Sequence, residues 1–372
     1  MGIISFQVKI PYVPPVDVTG TLWTWGRNNY GQLGQGNTIN YSSPVQLGLL
    51  TTWEQFSTSS YDCLAIKENT LWAWGLNEQG SLGLNDRVSR SSPVQVGVLS
   101  DWSKVSSGGR HTIALKTDGT IWTWGYNFYG DLGIGTGGSG TYKSSPVQVG
   151  SLTDWSKVDA RTNNCVALKT DGTLWAWGRN EFGQLGLGDI IHRSSPVQIG
   201  ALTNWSDFDL GDDQTLAIKT DGTLWVWGRN NNGQLGDGTI VDKSSPVQIG
   251  SDTNWSWVAG ANGWSVAIKS DGTIWSWGGD FDGHLGHGTV NVHLSSPVQI
   301  GSLTDWSKVE ASVTITIATK TDGTLWAWGV NSYGSLGQDN TTNYSSPIQV
   351  GLLEDWDDAG CGTYHAMGLR QI

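Results

Sequence analysis

A chain of 372 residues with 52 glycines, 23 tryptophans and only 15% charged residues has the composition of an all-β protein built from short strands and many turns. Its 21 Lys and Arg against 33 Asp and Glu leave a formal charge of −12. That balance argues against nucleic acid, whose binders need a basic surface to displace counterions from phosphates, and against insertion into or binding to anionic membranes.

Residues 1–19 are expected to form an extended N-terminal arm outside the rest of the chain. Phe6, Val8 and Ile10 alternate with Gln7 and Lys9 as in a short strand, and Pro11, Pro14 and Pro15 stiffen the link that follows. Met1-Gly2-Ile3-Ile4-Ser5-Phe6 lacks the charged start and long apolar core of a signal peptide. No run reaches the ~20 apolar residues of a spanning helix. A virion or the cytoplasm is the expected location.

From residue 20 onward one stretch returns seven times: Trp, a small residue, Trp, Gly. Its first tryptophans are Trp23, Trp72, Trp122, Trp175, Trp225, Trp275 and Trp326, at steps of 49, 50, 53, 50, 50 and 51 residues. Repetition at this period marks a solenoid or propeller. The unit is clearest over residues 102–150. Trp102-Ser103-Lys104-Val105 opens as a strand, and His111–Lys116 reads as a second. Thr117-Asp118-Gly119 makes a tight turn with glycine free to take positive φ. Thr120–Trp124 is the third strand, and a long loop crosses to a fourth at Ser144–Val149, where Pro146 suits a sheet edge.

Four short antiparallel strands per ~50 residues form a propeller blade. Alternation places Trp122 and Trp124 on one face of their strand. The middle residue of the motif is modest in every copy (Thr24, Ala73, Thr123, Ala176, Val226, Ser276, Ala327). Bulky indoles on one blade therefore meet a slim surface on the next. Seven further tryptophans (Trp53, Trp102, Trp155, Trp205, Trp255, Trp306, Trp356) open the units.

The first copy lacks two leading strands, while Trp356–Ala359 and Tyr364–Leu369 are two strands without a third. Joined, they complete one blade from both ends, so residues 20–372 form a seven-bladed β-propeller with no free edge. In the second copy Lys67-Glu68-Asn69-Thr70 replaces the Asp-Gly turn and predicts a two-residue hairpin with Asn at positive φ. Cys63, Cys165 and Cys361 form no Cys-x-x-Cys pair and read as small buried hydrophobes.

These elements resemble the repeat of the regulator of chromosome condensation family. That repeat runs roughly Gly-x-x-His, Ala-Leu, Asp-Gly, then Trp-Gly-x-Asn-x-x-Gly-Gln-Leu-Gly and a later Pro. Here it reads His111, Ala114-Leu115, Asp118-Gly119, Trp124-Gly125-Tyr126-Asn127, Gly130-Asp131-Leu132-Gly133 and Pro146. The resemblance implies a seven-bladed propeller closed by its termini. The founding member binds chromatin and exchanges nucleotide on a small GTPase, while many relatives are interaction modules. The near-uniform Trp-Ala-Trp-Gly and Ser-Ser-Pro-Val-Gln copies look more like bacterial and bacteriophage versions. Those look like virion, surface or adhesion components.

The motifs of catalysis are missing: no Gly-x-Ser-x-Gly elbow, phosphate-binding Walker loop or His-Glu-x-x-His stands in the chain. No catalytic residue, cofactor or metal is expected. His284, His287 and His293 have spacing that zinc would accept, but they read as one exposed loop. Gly133-x-Gly135-x-x-Gly138 matches a dinucleotide fingerprint without the helix that would hold the phosphate.

A binding site is expected where the copies stop agreeing. Loops after strands one and three share a face of the ring, and divergence concentrates there. The position of the family histidine, with its predecessor, reads Tyr61-Asp62, Arg110-His111, Asn163-Asn164, Asp213-Gln214, Gly263-Trp264, Thr314-Ile315 and Tyr364-His365. Aromatics beside amides and carboxylates suit a protein partner in a larger assembly or a surface glycan. The insertion Thr136-Gly137-Gly138-Ser139-Gly140 adds to the same variable loops. A non-catalytic binding or assembly module in a virion or on a microbial surface is the leading expectation. A cytoplasmic interaction domain, with nucleotide exchange as one form, and a glycan-binding lectin are the alternatives.

Overall fold

Six four-stranded antiparallel blades and a seventh assembled from both ends of the chain surround a central channel. The computed structural model describes residues 19–371; the strand expected around Phe6, Val8 and Ile10 lies outside the described residues. Twenty-eight strands and no helix are present among the described residues. Blades 1 to 6 span 53–95, 102–148, 155–198, 205–248, 255–299 and 306–349. Blade 7 runs from channel to rim as Trp356–Cys361, His365–Gln371, Gly20–Gly26 and Tyr41–Gln46. Gly20 to Gly26 pair in register with Gln371 to His365, the closure expected from the missing strands.

Blade 2 shows why the residues take these places. The strand Trp102–Ser107 lines the channel, followed outward by His111–Lys116, Ile121–Gly125 and Lys143–Gln148. A register shift between Trp102 and Lys104 inserts one extra residue, so Trp102 and Val105 both join the indole side. Pro146 sits inside the rim strand, where the register shifts between Lys143 and Val147 and no ladder donor is needed. Between the second and third strands of blade 1, Glu68 and Asn69 both take positive φ (50° and 56°), the two-residue hairpin expected of the second copy.

Each junction between blades holds its own apolar cluster. Trp102, Val105, Ala114 and Trp124 of blade 2 pack on Leu64, Ile66, Leu71 and Ala73 of blade 1. The far side of blade 2 (Ile113, Leu115, Ile121) receives Trp155 and Trp177 of blade 3. The slim middle residues Ala73, Thr123 and Ser276 are fully buried, as are Cys63 and Cys165. Burying each large side chain contributes roughly 2–3 kcal/mol before chain entropy is counted.

The three indoles of a unit meet edge to face, with Trp102 6.3 Å from Trp122 and 6.0 Å from Trp124. Lys116 lies over both, 4.3 Å from the Trp122 ring and 5.0 Å from the Trp102 ring, and pairs with Asp101 at 3.1 Å. The indole N–H of Trp124 crosses to the carbonyl of Ser81 in blade 1 at 2.7 Å. The same bond recurs from Trp25, Trp74, Trp177, Trp227, Trp277 and Trp328. The Gly-x-Leu-Gly of each long loop thus serves as an acceptor for the next blade. Glycine is required at its end: a Cβ on Gly186, whose φ is +69°, would stand 2.7 Å from Nε1 of Trp227.

Candidate functional site: the loop face

The loops after strands one and three emerge on one face, and the Tyr61-Asp62 type pairs sit there as expected. Their two members differ in exposure. Asp62, His111, Asn164, Gln214, Trp264 and His365 are all buried, at 0–1% exposure. They face the neighbouring blade rather than solvent, because in each blade this position begins the second strand.

Their partners are internal. Asp62 accepts from Ser59 and, at 2.7 Å, from Ser107 of the next blade. Nε2 of His111 meets Sγ of Cys165 at 3.2 Å, and Nε2 of His365 meets Sγ of Cys63 at the same distance. Nε2 of Gln214 donates to the carbonyls of Ala261 (2.8 Å) and Trp264 (3.0 Å). Burial holds His111 down to about 4 and His365 to about 3, so both are neutral near pH 7. These residues are scaffold. Trp264 in particular packs its ring against His284 in a tilted pair with centroids 4.7 Å apart and offers no platform to a sugar.

The predecessors Tyr61, Asn163, Asp213 and Tyr364 remain partly exposed and Arg110 is exposed. The structure brings them beside residues that the sequence reading did not single out. The residue after each Trp-x-Trp-Gly (Arg27, Leu76, Tyr126, Arg179, Arg229, Gly279, Val330) rises next to them, and its variation was the available signal. The backbone N–H of Arg27 donates to the Tyr364 carbonyl at 2.8 Å. The same bond ties Arg179 to Asn163 and Arg229 to Asp213.

Two clusters result. Around Arg27 stand Tyr30, Tyr61, Tyr333 and Tyr364, with ring centroids 5.8, 5.9, 5.1 and 5.7 Å from the guanidinium carbon. Around Arg179 and Arg229 stand Tyr129, Phe182 and Asp213. Phe128 adds an exposed ring against Tyr129 and Tyr126. The glycine-rich insertion folds back here, with the Gly138 N–H donating to the Phe128 carbonyl at 2.8 Å.

The channel opens at the centre of this face. Arg161 crosses its mouth, donating through Nε to Asp212 (3.2 Å) and through an amino group to the carbonyl of Ala311 (3.1 Å) in blade 6. Beneath it a cavity of about 700 Å³ is lined by Lys157, Asp159, Asp209, Glu310 and Asp358 among others. Burial, then the charge of Asp159, raises Asp209 to about 8, and burial raises Asp159 and Glu310.

The histidine cluster is dispersed. His284, expected on an exposed loop, is buried because its backbone carbonyl receives the Trp328 indole and its ring packs on Trp264. Nε2 of His287 meets Ser276 Oγ at 3.0 Å, and Nδ1 of His293 accepts from the Asp280 N–H at 3.2 Å. Among the described residues no group of three or more His, Cys, Asp or Glu is placed to hold a metal ion. Gly133 lies against the Trp177 indole and the Gly135 N–H donates to the Ser194 carbonyl, both serving the ring.

The geometry defines a closed repeat propeller whose uniform residues build the ring and whose variable residues crowd one face. The chain belongs to the regulator of chromosome condensation repeat family. The family described as Regulator of chromosome condensation (RCC1) repeat matches residues 19–66, 68–115, 118–168, 171–218, 221–268, 271–319 and 322–369. Among solved structures it is similar to human WBSCR16, at 21% identity over 94% of this chain and 98% of that one, with a TM-score of 0.85. It is also similar to yeast RCC1 (Prp20) solved with Kap60, at 17% identity over 100% and 97% of the two chains (TM-score 0.83). A second similar structure, Prp20p from Saccharomyces cerevisiae, shares 20% identity over 96% and 93% (TM-score 0.81). No curated protein sequence matches the chain at a significant level.

Proposed function

We propose that this propeller is a non-catalytic module that docks partner proteins on its loop face. One observation carries the reading: residues common to the seven copies are consumed in joining blades, whereas the loop face gathers exposed Phe128, partly exposed tyrosines and the arginines Arg27, Arg110, Arg179 and Arg229. Rigid aromatics with arginine are the side chains that dominate binding energy at protein interfaces. Two yeast proteins of this fold are described with protein partners, Kap60 bound to RCC1 (Prp20) in one and Gsp1p and histones for Prp20p in the other. The expected setting is a larger assembly, in a virion or on a microbial surface; the near-uniform copies support it by their likeness to bacterial and phage repeats.

A photo-crosslinking amino acid placed at Phe128 tests the loop face. The control site is Leu49, which is 92% exposed in the link after the rim strand of blade 7, on the opposite face. In extracts of the source organism, one discrete protein adduct from Phe128 and none from Leu49 is expected. Adducts from Leu49 alone would move the docking face, and adducts from neither would overturn the reading.

A further inference from the structure

The loop face contains an internal comparison. Arg27, Arg179 and Arg229 occupy the same repeat position and make the same backbone bond, at 2.8 Å, to the residue before the family histidine. Two of them find a carboxylate. Asp213 stands in the blade following Arg179 and reaches its amino group at 3.3 Å; it belongs to the blade of Arg229 and reaches that arginine at 3.1 Å. At the two corresponding places around Arg27 the chain carries Tyr61, in the following blade, and Tyr364, in its own.

Arg27 therefore keeps the position and loses the anion. Among the described residues no carboxylate lies within ion-pair distance of it, and its buried Nε has no hydrogen-bond partner. Four tyrosine rings stand around the guanidinium, in two edge-to-face pairs at 5.4 Å (Tyr30 with Tyr61) and 5.1 Å (Tyr333 with Tyr364). Cation–π attraction holds the group in place but leaves its fork of N–H donors unused. Among the described residues, none of the four tyrosine hydroxyls is engaged within the chain either. A planar cation walled by four rings, with its donors unused, matches a carboxylate, which accepts two parallel bonds from guanidinium.

We infer that the Arg27 pocket receives an acidic side chain of a partner protein, supplying from outside the carboxylate that Asp213 supplies within the chain at Arg179 and Arg229. The inference rests on the docking role of the loop face proposed above. Flanking apolar side chains of the partner segment would lie on the tyrosine rings. Burial of the paired charge in this aromatic wall makes the contact less sensitive to salt than an exposed ion pair.

The probe is a blocked hexapeptide, acetyl-Ala-Phe-Glu-Glu-Phe-Ala-amide, against its twin with Gln for both Glu, titrated calorimetrically into the full chain. The Glu peptide is expected to bind at least about tenfold tighter, the ~1.4 kcal/mol of a modest charge-assisted contact. Arg27→Gln should erase the difference. Tyr61→Asp should also erase it, because it rebuilds the internal pairing, and it should do so with the melting temperature held or raised. Equal binding of the twins, binding of neither, or a preference that survives both variants overturns the inference. Phe128 adducts obtained alongside such a failure would leave the docking role standing and remove only the acidic specificity.

Discussion

The indole N–H of Trp25 donates to the carbonyl of Ser335 at 2.9 Å, across 310 residues of chain. It is the bond found at every other blade junction, here made between the last full blade and the one that both ends of the chain build. Trp25 is fully buried in a cluster with Ile315, Ile317, Leu336 and Trp356. Trp25→Ala should therefore cost about 3–5 kcal/mol, read as a lower urea midpoint. Deleting residues 356–372 removes the channel strand of blade 7 and the partner of Gly20–Gly26, leaving open edges. Loss of a cooperative transition is expected. A truncated chain melting at the full-length midpoint would refute closure as the source of stability.

Trp264 separates a scaffold role from a binding role. It is 1% exposed, packs with Val266, Ile300 and Trp328, and lies tilted against the His284 ring. Trp264→Ala should lower stability by about 3–5 kcal/mol through the cavity left behind. Urea denaturation followed by far-UV circular dichroism measures it. An unchanged midpoint would mean that the ring is not packed as described.

Two buried histidines make the ring acid-sensitive. The folded values of His111 and His365 lie near 4 and 3 because burial disfavours the charged form, against 6.5 in an exposed chain. Below about pH 6.5 the unfolded chain takes up protons that the folded one refuses. Stability is then present above that pH and falls as pH drops toward the folded values, by roughly 1.4 kcal/mol per unit for each group. Gln214 shows that glutamine fits the same repeat position. His111→Gln and His365→Gln should each flatten the decline between pH 6.5 and 4.5 in denaturant midpoints. A slope identical to the parent's would show that the histidines do not titrate on unfolding.

Much of the ring was legible because the seven copies test one another. The steps between tryptophans set the blade count, the slim middle residues set the packing partner, and the unmatched ends set closure. Three things were not legible. Trp102 and Val105 share a side only because of the bulge at Ser103, which simple alternation misses. The buried half of each Tyr61-Asp62 pair cannot be told from the exposed half, since both vary between copies. Asp62, His111 and Gln214 vary because each finds a different internal partner, and variation alone does not distinguish that from specialisation. The Arg27 cluster is assembled from four loops of three blades, so no stretch of sequence contains it. Its one local trace is the changing residue after Trp-x-Trp-Gly.

The channel supplies the last prediction, with the opposite sign to the histidines. Asp209 accepts the Gly260 N–H at 2.6 Å and faces the cavity with Asp159 and Glu310, beneath Arg161. Burial and the neighbouring Asp159 raise it to about 8, whereas an unfolded aspartate titrates near 3.8. Between those values the folded chain holds a proton that the unfolded chain has released. Its contribution is fully present below about pH 3.8 and is lost as pH rises through 8. Asn can keep the acceptor to Gly260 without titrating. Asp209→Asn should therefore gain stability relative to the parent as pH rises from 5 to 8.5, seen as a widening difference in urea midpoints. A constant difference across that range would mean that Asp209 is ionised throughout, with Lys157 and Arg161 outweighing the cost of its burial.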